Sequence, residues 1–361
     1  MPRGPPRKMS LMPVFARSFD VDALSRWKEA NACTPIHALF DGWALPGEPS
    51  TANASLRLGV RNGSVNFYSF GQSVAKLSIV RGQPQLSVHE AYVTGRVRGA
   101  VREGAPVKQT YVSFSAAWLA DPANVPSIGG WIEAAQSYAS AEKCFVDELT
   151  AANAGVIDLE MALPANDIRA SDIRGSERAA PRMDLVVVQI SERGAPVIAF
   201  WEAKCANNAE LRSSKAYQHH DGGSYSGPSV IHQISKYVRW MDDARVTQVQ
   251  IAYRNTAERL LSLALLFKGA RTDELQCASI WRRIMATDLP RVILQPGVVI
   301  GNYWPAQYRQ PVAIEQMAQC AGRFASNGHR DELLRNGLFI HEIGGDQTRT
   351  LPFLPMKTLP D

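Results

Sequence analysis

The sequence predicts a mixed α+β or α/β protein in two parts, a β-rich one over residues 1–125 and a strand-and-helix one over residues 126–361. Three observations carry that reading. From Leu56 to Tyr68, apolar and polar residues alternate about Asn62-Gly63, the pattern of a half-buried hairpin closed by a type I′ turn. Two runs, Leu185 to Ile190 and Val197 to Trp201, are apolar almost without alternation, as in strands covered on both faces. On either side of those runs apolar residues recur every three or four positions, the period of a helix.

Taken in order, Asp20 is placed to cap a helix over Val21–Asn31. Beyond the hairpin, strands are expected at Ala75–Val80, Gln85–Val93 and Gln109–Phe114, with breaks at Arg81–Pro84 and Arg102–Pro106. His89 and Glu90 are neighbours in one strand and so face opposite ways, which makes them a poor metal pair. The segment 121–130 reads as a linker from its Pro, Gly and Asn content. A helix over Trp131–Ala152 carries the stripe Trp131, Ala135, Tyr138, Phe145, Leu149, with Glu142 on the same stripe. Val156–Leu163 is a first core strand. Pro164–Pro181, with Arg169, Arg174, Arg178 and the following Arg182, is a charged loop that either orders on nucleic acid or is solvated surface. Asn207–Tyr225 reads as an exposed loop carrying His219, His220 and Asp221. A helix then starts at Ser229, its expected cap, with Val230, Ile234, Tyr237 and Met241 on one face. Val246–Tyr253 is compatible with strand or helix, and Asn255–Glu258 has the form of a capping box opening a helix through Leu266. Strands over Pro290–Tyr303, broken at Pro296-Gly297, a helical stretch over 312–336 and a strand over Leu338–Ile343 complete the chain.

Composition narrows the function classes. With 361 residues, 45% hydrophobic and 20% charged, the chain can bury a substantial core. No run of eighteen apolar residues is present, so no membrane span and no membrane partner are expected. The opening Met1–Lys8 is basic without a following apolar run and reads as a disordered arm rather than a signal peptide. Five cysteines without a CxxC pair exclude a zinc ribbon and point to reduced thiols in a cytoplasmic setting. Of the net charge of +5, residues 1–110 hold +7 and the rest −2. That split suits phosphate-backbone binding by the first part, or simply a basic soluble surface. There is no internal repeat, phosphate-cradling glycine loop or nucleotide fingerprint.

The chemistry concentrates where the two apolar runs meet. Asp184 opens the first strand, and Glu202 and Lys204 project from one face at the end of the second. Asp184 and Glu202 are hard oxygen ligands of the kind Mg²⁺ prefers, beside phosphate oxygens and water. Lys204 is placed to orient an attacking water or to stabilise charge on a phosphorane, unless it merely pairs with Glu202. Glu142 is costly on a core-facing stripe without a partner.

Asp184, following Pro181-Arg182-Met183, together with Glu202-Ala203-Lys204, resembles the PD-(D/E)XK nuclease superfamily, with the proline displaced from its usual place beside the aspartate. The resemblance spans about residues 130–305. Gln233 and Tyr237, one helical turn apart about thirty residues later, are similar to the QxxxY element of RecB-like nucleases. The resemblance implies a restriction-endonuclease-like αβββαβ core in the domain 126–361, with the β-rich domain 1–125 binding or selecting the target. It implies catalysis by Asp184, Glu202, Lys204, Glu142, Gln233 and Tyr237, with Mg²⁺, or Mn²⁺ as a substitute, on Asp184, Glu202 and Glu142. Glu148 is the second candidate on the Glu142 helix. The implied activity is hydrolysis of DNA phosphodiesters by an endonuclease of restriction or phage defence, since no helicase or ATPase module accompanies it. RNA as substrate, a homo-oligomer and a partner protein stay open. The alternative from another class is a non-catalytic nucleic-acid-binding or assembly subunit that retains the fold.

Overall fold

The computed structural model describes residues 14–94, 111–163, 182–218, 224–241, 243–305 and 314–355. The arginines of the 164–181 loop, His219, His220, Asp221 and the basic arm lie outside them. At the start, the Asp20 carboxylate accepts from the Ala23 amide and opens α1 (Val21–Ala30). Pro35 occupies the first turn of α2 (Pro35–Asp41), where its missing N–H costs nothing. A meander follows: β1 (Arg57–Arg61), β2 (Ser64–Ser69), β3 (Gln72–Val80), β4 (Gln83–His89), α3 (Glu90–Thr94) and β5 (Tyr111–Phe114). The five strands pair antiparallel in sequence order.

The hairpin turns differ from the expectation. At Asn62-Gly63 only the glycine has positive φ (76°), because Ser18 pairs with Asn62 and accepts the Gly63 amide at 2.8 Å. A type I′ turn needs positive φ at both central residues. That geometry belongs instead to Phe70-Gly71 (43° and 69°) and Arg81-Gly82 (51° and 75°), which close the next two hairpins.

After α4 (Ala116–Ala120), the segment expected to be a linker is helical: a 3₁₀ turn over Pro122–Asn124 runs into α5 (Val125–Gln136). Asp121 caps the turn, Pro126 sits in the first turn of the helix, and Ile128 is buried. The single helix expected over Trp131–Ala152 is two. The chain breaks after Gln136, and Ser140 caps α6 (Ala141–Ala152) by accepting from the Lys143 amide. Tyr138 falls in the break and leaves the stripe.

The second sheet begins with β6 (Val156–Ala162), β7 (Arg182–Ile190) and β8 (Pro196–Cys205), antiparallel neighbours with every residue of β8 buried. Part of the segment expected as a loop forms a hairpin, β9 (Ser214–Gln218) and β10 (Ser224–Pro228). Then come α7 (Ser229–Trp240), α8 (Asp243–Lys268), α9 (Gln276–Met285), β11 (Arg291–Val292), β12 (Gly297–Gly301), α10 (Ile314–Ser326), α11 (His329–Arg335) and β13 (Phe339–Ile343). β12 runs parallel to β8, β13 parallel to β12, and β11 also pairs along β8, giving the order β13-β12-β8-β7-β6. Ser229 is the first helical residue of α7 rather than its cap. Asn255–Glu258 lies inside α8, where the Thr256 hydroxyl donates to the Ala252 carbonyl one turn back, so the capping-box pattern marks no helix start.

Side chains of both sheets join one contiguous apolar cluster that includes Phe40, Phe67, Leu77, Phe145, Val187, Phe200 and Tyr253. Two buried ionic links cross between the sheet regions. Arg57 donates to Asp147 of α6 at 2.8 Å, and Arg17 and Arg61 both hold Asp158 of β6. The Tyr253 hydroxyl also donates to Asp158.

Candidate functional site

β7 and β8 bring their carboxylates together because the ladder between them stops at Leu185–Trp201. Just beyond that pair, the Ala203 amide donates to Asp184 Oδ2 at 3.0 Å, so a side chain takes over from the strand. Asp184, Glu202 and Lys204 then line an open polar cavity of about 340 Å³, together with Glu142 from the first turn of α6 and Gln233 from α7. Lys204 Nζ lies 2.7 Å from Glu202 Oε1, 2.9 Å from Glu210 and 3.6 Å from Glu142. Gln233 Nε2 donates to the same Glu202 oxygen at 2.7 Å and to the Arg182 carbonyl at 3.2 Å. The other Glu202 oxygen is buried with no hydrogen-bond partner. Asn208 Nδ2 donates to Glu142 at 2.7 Å.

The charges here are strongly biased. Burial, followed by repulsion from Asp184, holds the Glu202 carboxyl well above its ordinary range against the pull of Lys204. Glu142 is raised by burial and by Asp184, with Lys204 opposing. Burial works against the charge on Lys204, but Glu202, Glu142, Asp184 and Glu210 outweigh it and raise the ammonium well above its usual value.

Five of the six residues singled out in sequence therefore share the cavity. Tyr237 does not line it: its hydroxyl is buried and donates to the Met161 carbonyl at 3.3 Å, and burial, then the nearby carboxylates, push the phenol well up. Glu148 points elsewhere, accepting from Tyr303 at 2.7 Å and from Arg349. The cavity also contains residues that sequence reasoning passed over. Glu160 of β6 accepts from Lys143 Nζ, and Lys143 reaches Asp184 at 3.4 Å. Glu160 has φ 52°, a left-handed conformation inside a strand. Its signal was Asp158-Leu159-Glu160, two carboxylates in an otherwise apolar strand. The Lys143 stem runs close against Gly71 of the first sheet, where a Cβ would lie 2.6 Å from it. Asn208 and Glu210 come from a polar stretch without periodicity and gave no signal.

Among the described residues no group of three or more His, Cys, Asp or Glu side chains is arranged to hold a metal ion as it stands. In donor chemistry the cavity nevertheless fits a hard divalent cation: Glu142, Glu160, Asp184, Glu202 and Glu210 line it with no thiol or imidazole among its described lining residues, and one buried carboxylate oxygen of Glu202 is unpartnered. Among the described residues no helix is long and apolar enough to cross a membrane. No family model matches the chain, and no curated protein or solved structure matches it either.

Proposed function

We propose that the protein is a divalent-metal-dependent phosphodiesterase acting on nucleic acid, with DNA as the expected substrate. The observation that carries this reading is Glu202, a carboxylate only 1% exposed, with one oxygen shared by Lys204 and Gln233 and the other left without a partner. An ion pair kept for stability alone does not need Asp184 and Glu142 facing it, because each added carboxylate raises the cost of burial. With β9 and β10 set aside before α7, and α8, α9 and β11 set aside after it, the chain runs α6-β6-β7-β8-α7-β12, its first three strands antiparallel and β12 parallel to β8, which supports the αβββαβ nuclease-like core that the motif resemblance implies.

Asp184 and Glu202 would hold Mg²⁺ or Mn²⁺, with Glu142 as the third carboxylate. Such an ion, when bound, polarises a phosphoryl oxygen and acidifies water. Lys204 keeps its proton at Nζ and sets a positive charge where phosphorane oxygens gain negative charge. Gln233 positions Glu202 by fixing one carboxylate oxygen. Lys143, between Glu160 and Asp184, adds a second cation, and the exposed Arg182 at the rim offers a contact for the phosphate backbone. The place in restriction or phage defence is carried by the resemblance alone.

One observation favours a non-catalytic nucleic-acid-binding subunit: the amines of Lys143 and Lys204 already sit on Glu160, Asp184 and Glu202, where an ion would have to compete with them. Incubation of the purified protein with plasmid, linear duplex, single-stranded DNA and RNA, in Mg²⁺, Mn²⁺ or EDTA, separates the two. Metal-dependent hydrolysis that is lost in Asp184→Asn and Glu202→Gln supports the enzyme. Binding without hydrolysis under every condition overturns it.

A further inference from the structure

A second cavity, of about 470 Å³, adjoins the carboxylate cavity and lies between the first sheet and β6, β7 and α6. Lys143, Glu160 and Arg182 line both. Away from those shared residues the wall combines the rings of Tyr68, His89, Tyr92, Tyr111 and Tyr138 with polar groups such as Arg61 and Gln72. His89 stands 5.4 Å from Tyr92 and 5.6 Å from Tyr111 between ring centroids, and Tyr92 stands 5.8 Å from Tyr138. Tyr111 is 49% exposed and Tyr138 41%, although both border a cavity that a packed core would have closed over them. The break between α5 and α6 is what frees Tyr138 from the buried stripe. Asn66, in the same wall, has an amide oxygen without a hydrogen-bond partner, while its amide nitrogen donates to the Tyr68 hydroxyl.

Aromatic rings beside a cationic rim form a stacking platform next to a backbone contact, the combination that binds unpaired nucleotides. Bases inside a duplex have both faces covered by their neighbours and cannot use it. We propose that this cleft is a nucleobase subsite. An unpaired base stacks on Tyr111 and Tyr138, and its phosphate passes Arg182 and Lys143 toward the carboxylates. The Asn66 oxygen supplies an acceptor for a base edge. The substrate class thereby assigned is single-stranded or locally opened nucleic acid, and the assignment rests on the nucleolytic reading of the adjoining cavity.

The test uses the full chain, a short fluorescein-labelled oligothymidylate and a blunt duplex. Affinities are read by polarisation in EDTA, and hydrolysis is read separately in Mg²⁺ and Mn²⁺. Both exposed tyrosines can be truncated with little effect on the core, which a melting curve of each variant checks. Tyr111→Ala and Tyr138→Ala are each expected to weaken single-strand binding about tenfold. The corresponding Phe variants restore it, duplex affinity is unchanged, and the salt slope keeps its wild-type value because no cation is removed. Alanine variants that bind the single strand like wild type, or that lose single strand and duplex alike, overturn the subsite. Since binding is read without turnover, tyrosine-dependent affinity with no hydrolysis in either metal overturns the nuclease reading alone. Hydrolysis with tyrosine-independent affinity overturns the subsite alone.

Discussion

Asp158 and Glu202 are each only 1% exposed, on strands of the same sheet, yet their surroundings drive them in opposite directions. Burial pushes Asp158 upward, but Arg61 and Arg17 outweigh it and hold its carboxyl below the ordinary range. Glu202 is buried as deeply and is raised, because Asp184 adds repulsion that Lys204 does not cancel. Asp158 has partners on both oxygens, whereas Glu202 leaves one oxygen orphaned. The first arrangement is what a protein builds to join two layers. The second retains an unmet demand for positive charge, which a ligand can supply.

The strongest way to break the Asp158 arrangement is to remove its donors. A fragment beginning near residue 126 lacks Arg17, Arg57 and Arg61, so Asp158 and Asp147 lose their partners together with the apolar packing that the first sheet supplies. At about 3–5 kcal/mol for each broken buried pair, the loss is comparable to the whole stability of a typical domain. Circular dichroism is expected to show that fragment unfolded. A cooperative melt like that of the full chain would show that neither the ionic links nor the apolar packing of the first sheet is needed for the second to fold.

Next in size is the contrast between conservative amides. Glu202→Gln removes charge from the under-neutralised centre, so cleavage should fall about 10²–10³-fold while the melting temperature holds or rises. Asp158→Asn should do the reverse, lowering stability with turnover per folded molecule retained. If both variants behave alike in both assays, the two centres are not different in kind.

Titration sharpens the same contrast. Asp158, lowered in the folded state, contributes stability above its ordinary value of 3.8 that is lost as pH falls through the folded value. Glu202, raised, contributes stability that is full below 4.5 and is lost as pH rises through the folded value. Denaturant melts across that upper range should show a decline with pH in wild type that Glu202→Gln abolishes. An unchanged decline in the variant would assign it to another group.

The smallest expected effect is at Tyr237. Tyr237→Phe removes one buried hydrogen bond to Met161, worth about 1 kcal/mol in a chemical melt, and leaves cleavage unchanged. A tenfold fall in cleavage would return Tyr237 to the working site through its helix neighbour Gln233.

The strands bearing Asp184, Glu202 and Lys204 were legible because ionisable groups set into β-branched runs are costly to bury unless they work together. Gln233 came from the resemblance of Gln233 and Tyr237 to the QxxxY element, since a glutamine on a helix carries no signal of its own. Lys143 was hidden by its adjacency to Glu142, since neighbours on a helix point in different directions and only the length of the lysine stem closes the gap. The type I′ turns escaped because Phe70 and Arg81 stand where asparagine or aspartate is the usual signal. Tyr138 fitted a helical stripe so well that the break at Ser137–Ser140 left no trace in the periodicity.

Glu160 leaves its own record in the backbone. A glutamate at φ 52° carries about 1–2 kcal/mol of strain that glycine escapes, and a single base change converts either glutamate codon to a glycine codon. A laboratory population selected only for survival of heat has that substitution within immediate reach, and a population selected for nucleolysis loses by taking it, because Lys143 then keeps Asp184 alone. Glu160→Gly is expected to cleave more slowly, and its melting temperature weighs the strain relieved against the Lys143 ion pair lost. The ratio of glycine to glutamate at this codon after deep sequencing of the two populations would report which pressure each had experienced.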